Sequence, residues 1–177
     1  MKSKNQFLVP KDVSEADFTE MVASPIGTFA IIASEVGIRF IKPVDKFIPN
    51  TKPNHHTNTA ASQLEMYFTG KSRQFDIKFD LSGHSEFSIR VWQELIKIPF
   101  GQTISYAQLA SRLGNPLCIR AAATANGRNP IPIIIPCHRV IGSDGSLTGF
   151  ALGLDVKKKL LSLENPAKYA VIQTTLF

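Results

Sequence analysis

The sequence predicts an α/β (α+β) fold with two domains, and three observations support this prediction. Before residue 83 the chain reads as short strands around one short helix. After residue 83 apolar residues recur at helical spacing, and two short helices follow each other across a tight turn. A run of isoleucines that ends at Cys137 adds one short strand. We therefore expect a small sheet-plus-helix domain over residues 1–82, and a helical domain with a helix-turn-helix and this short strand over residues 83–177.

Turn and capping residues define the elements of the first domain. The predicted elements are, in order, strands at about 28–33 and 37–42, a loop over 43–60, a short helix over 62–71 and a strand over 73–81. The loop contains three prolines and little periodicity. The helix has Ser62 and Glu65 at the spacing of a capping box, and Gly70 ends it.

Apolar stripes and caps predict three helices early in the second domain. The first, over 86–98, carries an apolar stripe and is followed by a proline. Ser105 and Gln108 have the spacing of a capping box at the start of the second helix. Asn115 caps the third helix, which runs to Gly127. The short turn between the last two helices is typical of a helix-turn-helix.

The formal net charge of +6 is concentrated in the second domain. Residues 1–82 carry ten Lys and Arg against nine Asp and Glu, whereas residues 83–177 carry ten against five. This basic excess favours an anionic partner for the second domain, with nucleic acid as the first candidate.

No apolar run approaches the length of a membrane span, and the first residues lack the apolar segment of a secretory signal. We therefore expect a cytoplasmic protein without membrane association.

The two cysteines, Cys118 and Cys137, are too few for a disulfide framework or for a four-cysteine zinc site. A mixed zinc site that includes His55 and His56 is an alternative. These histidines lie in the predicted loop over 43–60, however, which favours an ordinary solvated segment. We therefore predict reduced thiols, no metal and no cofactor.

The reactive chemistry centres on Cys137, which is followed by His138 and Arg139. A lone buried cysteine is most often a small apolar residue, but these two neighbours make the site electropositive and favour the thiolate. In an extended chain successive side chains point to opposite sides, so His138 reaches the sulfur only if the backbone turns or a water intervenes. Glu164 shares the apolar face of the last predicted helix and is the candidate partner that orients His138. A lysine of the 157–159 run is the alternative partner for Glu164.

The helix that ends at Gly127 has small side chains around a single cation. Arg120, Ala121 and Thr124 share one of its faces. Such a face can approach another surface closely, as a helix that reads DNA must. The alternative is a helix packed closely against its neighbours, with Arg120 as a charge in solvent.

Residues 129–164 read NPIPIIIPCHRVIGSDGSLTGFALGLDVKKKLLSLE. They resemble the active-site region of the O6-alkylguanine-DNA alkyltransferases, whose signature is a Pro-Cys-His-Arg-Val core. The resemblance extends upstream through RVWQELIKIPFGQTISYAQLASRLGNPLCIRAAATANGRNP and more loosely to SPIGTFAIIASEVGI and QLEMYFTGK, so it covers nearly the whole chain. It implies direct DNA repair by a monomeric suicide enzyme, which removes an alkyl group from O6 of guanine, or also from O4 of thymine. The substrate it implies is double-stranded DNA, approached through the minor groove with the damaged base flipped out.

The resemblance also implies roles for individual residues. Cys137 takes the alkyl group, His138 acts as a water-bridged base, and Glu164 orients that base. Tyr106 crowds the target phosphate and can donate to the leaving base, and Arg120 fills the place that the flipped nucleotide vacates. The other implied residues are Asn129, which ties the DNA-reading helix to the active-site strand, Ala121 and Thr124 on that helix, and Val140, Phe150, Ala151 and Leu152 around the base.

Three positions depart from the family pattern. Ala123 and Leu152 stand where glycines are usual, and Phe150 stands where a tyrosine is common. The loss of the glycine at Leu152 predicts a narrower pocket that accepts bulky alkyl groups poorly.

The C-terminal residues Gln173, Leu176 and Phe177 are similar to the peptide that docks bacterial partners onto the replication sliding clamp. The alternative is a tail that packs on its own domain.

Two other functions also remain open for the whole chain. One is a protein that binds alkylated lesions without chemistry, which the presence of Cys137 disfavours. The other is a Cys–His hydrolase unrelated to DNA, which leaves Tyr106 and Arg120 unexplained.

Overall fold

A computed structural model of this 177-residue chain describes residues 17–45 and 52–169. The chain divides into two compact units between Ser82 and Gly83, called here the first and the second unit. Across the two described ranges, no helix is both long enough and apolar enough to cross a bilayer.

The first unit contains a three-stranded antiparallel sheet in the order β1-β2-β3. Its strands are β1 (Phe18–Ser24), β2 (Gly27–Ala33) and β3 (Ile38–Pro43). The two predicted strands, 28–33 and 37–42, are confirmed as β2 and β3. The sequence prediction missed β1, because Val22 is its only buried residue and its apolar pattern is correspondingly weak.

Helix α1 (His55–Phe68) packs on this sheet and begins earlier than predicted. Asn54 caps it: its side chain accepts from the Thr57 amide at 3.0 Å, and the Thr57 hydroxyl accepts from the Asn54 amide at 2.9 Å. This reciprocal pair starts the helix inside the predicted 43–60 loop, so the loop prediction is wrong at its end and the predicted start at Ser62 is wrong.

The predicted strand over 73–81 is also wrong. These residues, all of which the structure describes, join the sheet through one isolated parallel bridge between Ile38 and Phe79. A side chain at Gly37 would place its Cβ 2.6 Å from the carbonyl oxygen of Lys78, so the close approach of the two segments requires glycine there.

The second unit is mainly helical. Its elements are α2 (Glu86–Ile96), β4 (Ile104–Ser105), α3 (Tyr106–Arg112), α4 (Ile119–Gly127), β5 (Val140–Ile141), α5 (Leu154–Glu164) and α6 (Pro166–Tyr169). Strands β4 and β5 pair in parallel. The predicted capping box of Ser105 and Gln108 is present at the start of α3. Asn115 caps a 3-10 turn, Pro116–Cys118, that leads directly into α4, as its predicted capping role requires.

The isoleucine run does not form the predicted strand. Ile133, Ile134 and Ile135 lie in a buried turn, in which the Ile135 amide donates to the carbonyl of Ile131 at 2.9 Å. Ile133 has a φ of 76°, a conformation that a β-branched residue adopts only when its surroundings impose it. The short strand of this region is β5, which begins three residues after Cys137.

Candidate active site

Cys137 is the first residue of a 3-10 turn, Cys137–Arg139, that precedes β5. The backbone therefore turns at the cysteine. A turn is one of the two arrangements by which His138 was expected to reach the sulfur. All three side chains of this turn are buried: Cys137 is 3% exposed, His138 0% and Arg139 6%. Three consecutive buried residues that carry a thiol, an imidazole and a guanidinium require partners for each polar group.

Glu164, the last residue of α5, is the partner of both the imidazole and the guanidinium. Its Oε1 accepts from His138 Nε2 at 2.8 Å and from Arg139 Nη2 at 2.8 Å. Its Oε2 accepts from Arg139 Nε at 2.8 Å and from the Gly101 amide at 3.1 Å. The predicted contact between Glu164 and His138 is therefore present.

The pKa of Glu164 reflects two opposing effects. Burial raises that pKa, but the hydrogen bonds and charges of His138 and Arg139 outweigh burial and hold it well below its ordinary range. Glu164 is therefore a carboxylate at neutral pH. Because a carboxylate only accepts hydrogen bonds, His138 Nε2 carries a hydrogen, which leaves Nδ1 as the basic nitrogen of the ring.

The second ring nitrogen of His138 is free to take a proton. Within the described residues no group hydrogen-bonds to Nδ1, although this atom is buried. Burial lowers the pKa of His138, and Glu164 opposes that effect. His138 is therefore a neutral, oriented base in the resting protein.

The Cys137 thiol is protonated in the resting protein. Burial raises its pKa to about 11, against the lowering effects of the Asn129 side chain and the Lys157 charge. The prediction that His138 and Arg139 favour the thiolate is wrong for the resting protein. Burial dominates the pKa of the thiol, and the Arg139 guanidinium pairs with Glu164 and donates to the carbonyl of Ile98 at 2.6 Å. Reaction at this sulfur therefore needs a base, and His138 is the adjacent one.

Lys157 is a site residue that the sequence prediction missed. Its side chain is fully buried, and Nζ donates to the carbonyl oxygens of Val140 at 2.6 Å and Thr148 at 2.8 Å. Burial lowers the pKa of Lys157 to about 8, while Cys137 raises it. The available signal was spacing: Lys157 precedes Leu160, Leu161 and Glu164 by three, four and seven residues, which places it on the buried stripe of α5.

Asn129 and Tyr106 lie where the cysteine turn meets the neighbouring segments. Asn129 Nδ2 donates to the carbonyl of Ile135 at 2.7 Å, and its Oδ1 accepts from the Ile131 amide at 2.9 Å. These bonds hold the isoleucine turn next to the end of α4. The Tyr106 hydroxyl donates to the carbonyl of Thr148 at 3.4 Å, which brings the first residue of α3 to the loop that Lys157 also holds.

Helix α4 has one buried and one exposed face. Ala122, Ala125 and Asn126 are buried, whereas Arg120, Ala121 and Thr124 are exposed. The alternative of a helix packed closely against its neighbours therefore holds for one face of α4, and the face predicted to meet DNA is exposed. Arg120 emerges from an exposed surface that also includes Leu117, which is 93% exposed.

The four predicted pocket residues differ in burial. Val140 is fully buried, Phe150 and Leu152 are half-buried, and Ala151 is exposed. The Phe150 ring stands edge-on to that of His138, with 6.5 Å between their centroids. The narrower pocket expected from Leu152 stays a prediction.

The histidine pair lies in the first unit, on the first turn of α1. His55 and His56 line a cavity of about 310 Å³ together with Gln63 and Asp76. His56 Nε2 hydrogen-bonds to the carbonyl of Glu35 at 3.2 Å. In the ranges 17–45 and 52–169 no group of three or more His, Cys, Asp or Glu side chains is arranged to hold a metal ion.

Comparison with known proteins identifies similar domains over most of the chain. The family profile described as 6-O-methylguanine DNA methyltransferase, DNA binding domain, matches residues 86–166, and the one described as 6-O-methylguanine DNA methyltransferase, ribonuclease-like domain, matches residues 18–81. A methylated-DNA–protein-cysteine methyltransferase of Methanosarcina barkeri is 45% identical over 157 residues, which cover 83% of this chain and 96% of the relative.

Solved structures give the same result. The crystal structure of Mycobacterium tuberculosis O6-methylguanine methyltransferase aligns with a TM-score of 0.75 at 37% identity and covers 91% of this chain and 99% of its own. A crystal structure of Mycobacterium tuberculosis OGT in complex with DNA aligns with a TM-score of 0.75 at 38% identity, over 84% of this chain and 93% of its own.

Proposed function

Because the chain belongs to the 6-O-methylguanine DNA methyltransferase family, we propose that it repairs alkylated DNA by moving the alkyl group from O6 of guanine to Cys137. The observation that carries the assignment to this residue is the buried contact of His138 with Glu164, which orients the ring of the residue that follows Cys137 and leaves its Nδ1 without a partner among the described residues. The protein is then consumed in the reaction, because the thioether that forms is stable.

The proposed step is a substitution at the alkyl carbon. The Cys137 sulfur bonds to the alkyl carbon as the bond between that carbon and O6 breaks, and the electron pair of the broken bond stays on O6. His138 Nδ1 takes the thiol proton, directly or through a water, while Tyr106 gives its hydroxyl proton to the departing base. The proton on His138 then returns to the Tyr106 oxygen through solvent. The protein ends with an S-alkylcysteine and with neutral His138 and Tyr106.

Two features argue against the other functions considered for this chain. A protein that only binds lesions needs no oriented base next to a cysteine in the chain, whereas Glu164 orients His138, the residue that follows Cys137. A Cys–His hydrolase turns over repeatedly and has no use for an open, small-sided helix face around Arg120.

A labelled-methyl assay tests the proposed function. The protein is incubated with a duplex that carries O6-methylguanine labelled in the methyl group, and protein-bound label is counted. We expect at most one methyl per chain, however large the excess of duplex. Label that is released into solution over many turnovers would contradict a single transfer to the protein, and binding of the duplex without label transfer would identify a lesion-binding protein.

Arg120 on the exposed face of α4 supports a proposed mode of DNA binding. We infer that α4 enters the minor groove and that Arg120 occupies the space left by the flipped nucleotide, because flipping leaves an unstacked gap that costs a few kcal/mol. Ala121 and Thr124 permit the close approach, and the Thr124 hydroxyl is already satisfied by the carbonyl of Arg120 at 2.9 Å.

Arg120→Ala is expected to slow transfer from duplex DNA by about ten- to a hundredfold, because the cost of flipping is then uncompensated. Transfer from a single-stranded oligonucleotide should change little, since a single strand has no paired base to replace. The measurement is the single-turnover rate on both substrates. Lys97→Ala is the control for the loss of one positive charge, because Lys97 is exposed and paired with Glu94 at 2.6 Å. Equal slowing of Arg120→Ala on both substrates would contradict the proposed role.

The finer assignments belong to the same proposal. We expect residues 83–177 to bind DNA and carry out the transfer, residues 1–82 to support them, and the protein to act as a cytoplasmic monomer that accepts O4-alkylthymine as well. Gln173, Leu176 and Phe177 lie outside the described residues, and we retain for them the expectation of docking onto a sliding clamp. Deletion of the last five residues, followed by a clamp-binding measurement, tests that expectation.

A further inference from the structure

Asn126 is a buried polar residue in the last turn of α4 for which neither the sequence prediction nor the proposed reaction provides a role. It is 1% exposed and lies on the face of α4 that packs inward, four residues after Ala122. A buried amide needs a specific set of hydrogen-bond partners, because it carries two N–H donors and one carbonyl acceptor.

The side chain of Asn126 interacts with two groups of the candidate active site. It donates to the carbonyl oxygen of Cys137 over a long 3.4 Å. The same amide acts on the Tyr106 hydroxyl: burial raises the pKa of Tyr106, and the Asn126 side chain is one of the groups that lower it. A single amide therefore connects the backbone of the nucleophile with the hydroxyl that the proposed reaction uses as an acid.

The other end of the amide is unsatisfied. None of the described residues hydrogen-bonds to Asn126 Oδ1, and that atom is buried. An unpaired buried acceptor destabilises a fold, so an apolar side chain of the same shape would be the more stable choice here. The stability of the fold therefore does not explain an asparagine at this position. Its contacts with the Cys137 carbonyl and with Tyr106 suit a role in the reaction.

We propose that Asn126 is a positioning residue for the alkyl transfer. Its Nδ2 holds the Tyr106 hydroxyl at a fixed position relative to the backbone of Cys137. This inference rests on the proposed function. As Tyr106 passes its proton to the departing base, its oxygen becomes negative in a half-buried site. The N–H donor of Asn126 then stabilises that oxygen more than it stabilised the neutral hydroxyl, so its contribution is larger in the transition state than at rest.

The test is a double-mutant cycle with a measurement of stability. Asn126→Leu keeps the shape of the side chain and removes the donor, and each neighbour keeps another partner. The Cys137 carbonyl still accepts from the Val140 amide, and the Tyr106 hydroxyl still donates to the carbonyls of Thr148 and Gly149. Asn126→Met is measured in parallel as a second apolar replacement.

We expect Asn126→Leu to slow single-turnover methyl transfer about tenfold, without lowering the midpoint of thermal unfolding. In a Tyr106→Phe background the same change should slow transfer by less than about twofold, because the hydroxyl through which Asn126 acts is gone. Trp92→Phe is the matched control. It removes a buried hydrogen bond to the carbonyl of Ala125 at 2.9 Å on the same helix, so it should lower the midpoint and leave the transfer rate unchanged.

Two outcomes would overturn this inference. One is transfer at the wild-type rate by the folded Asn126 variants, and the other is equal slowing of transfer with and without the Tyr106 hydroxyl. Both require a wild-type protein that takes up methyl, so they are distinguishable from failure of the proposed function, in which the wild-type protein itself takes up none.

Discussion

Glu164→Gln is expected to destabilise the second unit by about 3–5 kcal/mol, because it leaves the buried Arg139 guanidinium without a counter-charge. The same change should slow methyl transfer by about a hundredfold or more, since the His138 ring loses the carboxylate that orients it and stabilises its protonated form. Glutamine keeps the shape of glutamate, so neither effect arises from a cavity. The structural basis is that one carboxylate accepts from His138, from Arg139 and from the amide of Gly101.

The stability effect can be measured separately for the second unit. Trp92 is the only tryptophan of the chain and is buried in α2, so its fluorescence during urea unfolding reports on that unit. Glu94→Gln is the matched control, because Glu94 pairs with the exposed Lys97, and such a surface pair contributes at most about 1 kcal/mol. Similar losses of stability in the two variants would contradict the buried ion-pair account.

The same carboxylate predicts a pH dependence with a definite sign. The pKa of Glu164 is lower in the folded protein than its unfolded value of about 4.3. Its contribution to stability is therefore fully present above that pH and is lost progressively as the pH falls below it. Glu164→Gln should lack this part of the acid dependence, so the gap in unfolding free energy between wild type and variant should narrow in acid. A constant gap from pH 7 to pH 3 would contradict the assignment.

The helix starts of this chain show where local sequence signals suffice. Ser105 and Gln108 predicted the start of α3, because the reciprocal hydrogen bonds of a capping box involve residues three apart. Asn54 and Thr57 form the same arrangement at α1, but threonine at the third position is a less familiar signal than glutamate or glutamine. The prolines before Asn54 favoured a loop, and that local preference did not extend to the residues after the cap.

The isoleucine turn shows where local signals fail. Three consecutive β-branched residues predict a strand, yet the turn is fixed by Asn129, which holds the carbonyl of Ile135 and the amide of Ile131. The bracketing prolines, which cannot donate to a sheet, were the available sign that a strand would not continue. A positive φ at Ile133 is a consequence of these surroundings and has no signature in a β-branched residue.

The candidate site was predicted better than its environment. The apolar face of α5 led to the contact between Glu164 and His138, because both helical spacing and the cost of a buried carboxylate can be read from the sequence. The partnership of Arg139 with Glu164 joins two residues 25 positions apart and depends on how the cysteine turn lies against α5. The raised pKa of Cys137 follows from the same packing, since burial is a property of the fold rather than of neighbouring residues.

Cys137→Ser is the second change with a large expected effect, and it is expected to abolish alkyl uptake. The serine hydroxyl is a far weaker acid than the thiol, so His138 cannot generate enough of the nucleophile. Cys118→Ser is the matched control, because Cys118 is the other free cysteine of the chain and is half-buried outside the Glu164 cluster. That variant should take up methyl like the wild type.

The central claim is that Cys137 accepts the alkyl group of O6-methylguanine, and the most direct test is the intact mass of the protein after incubation with a methylated duplex. We predict that the wild type and Cys118→Ser each gain the mass of one methyl group, and that Cys137→Ser gains none. An unchanged mass for the wild type, or a methyl group on Cys137→Ser, would contradict the account.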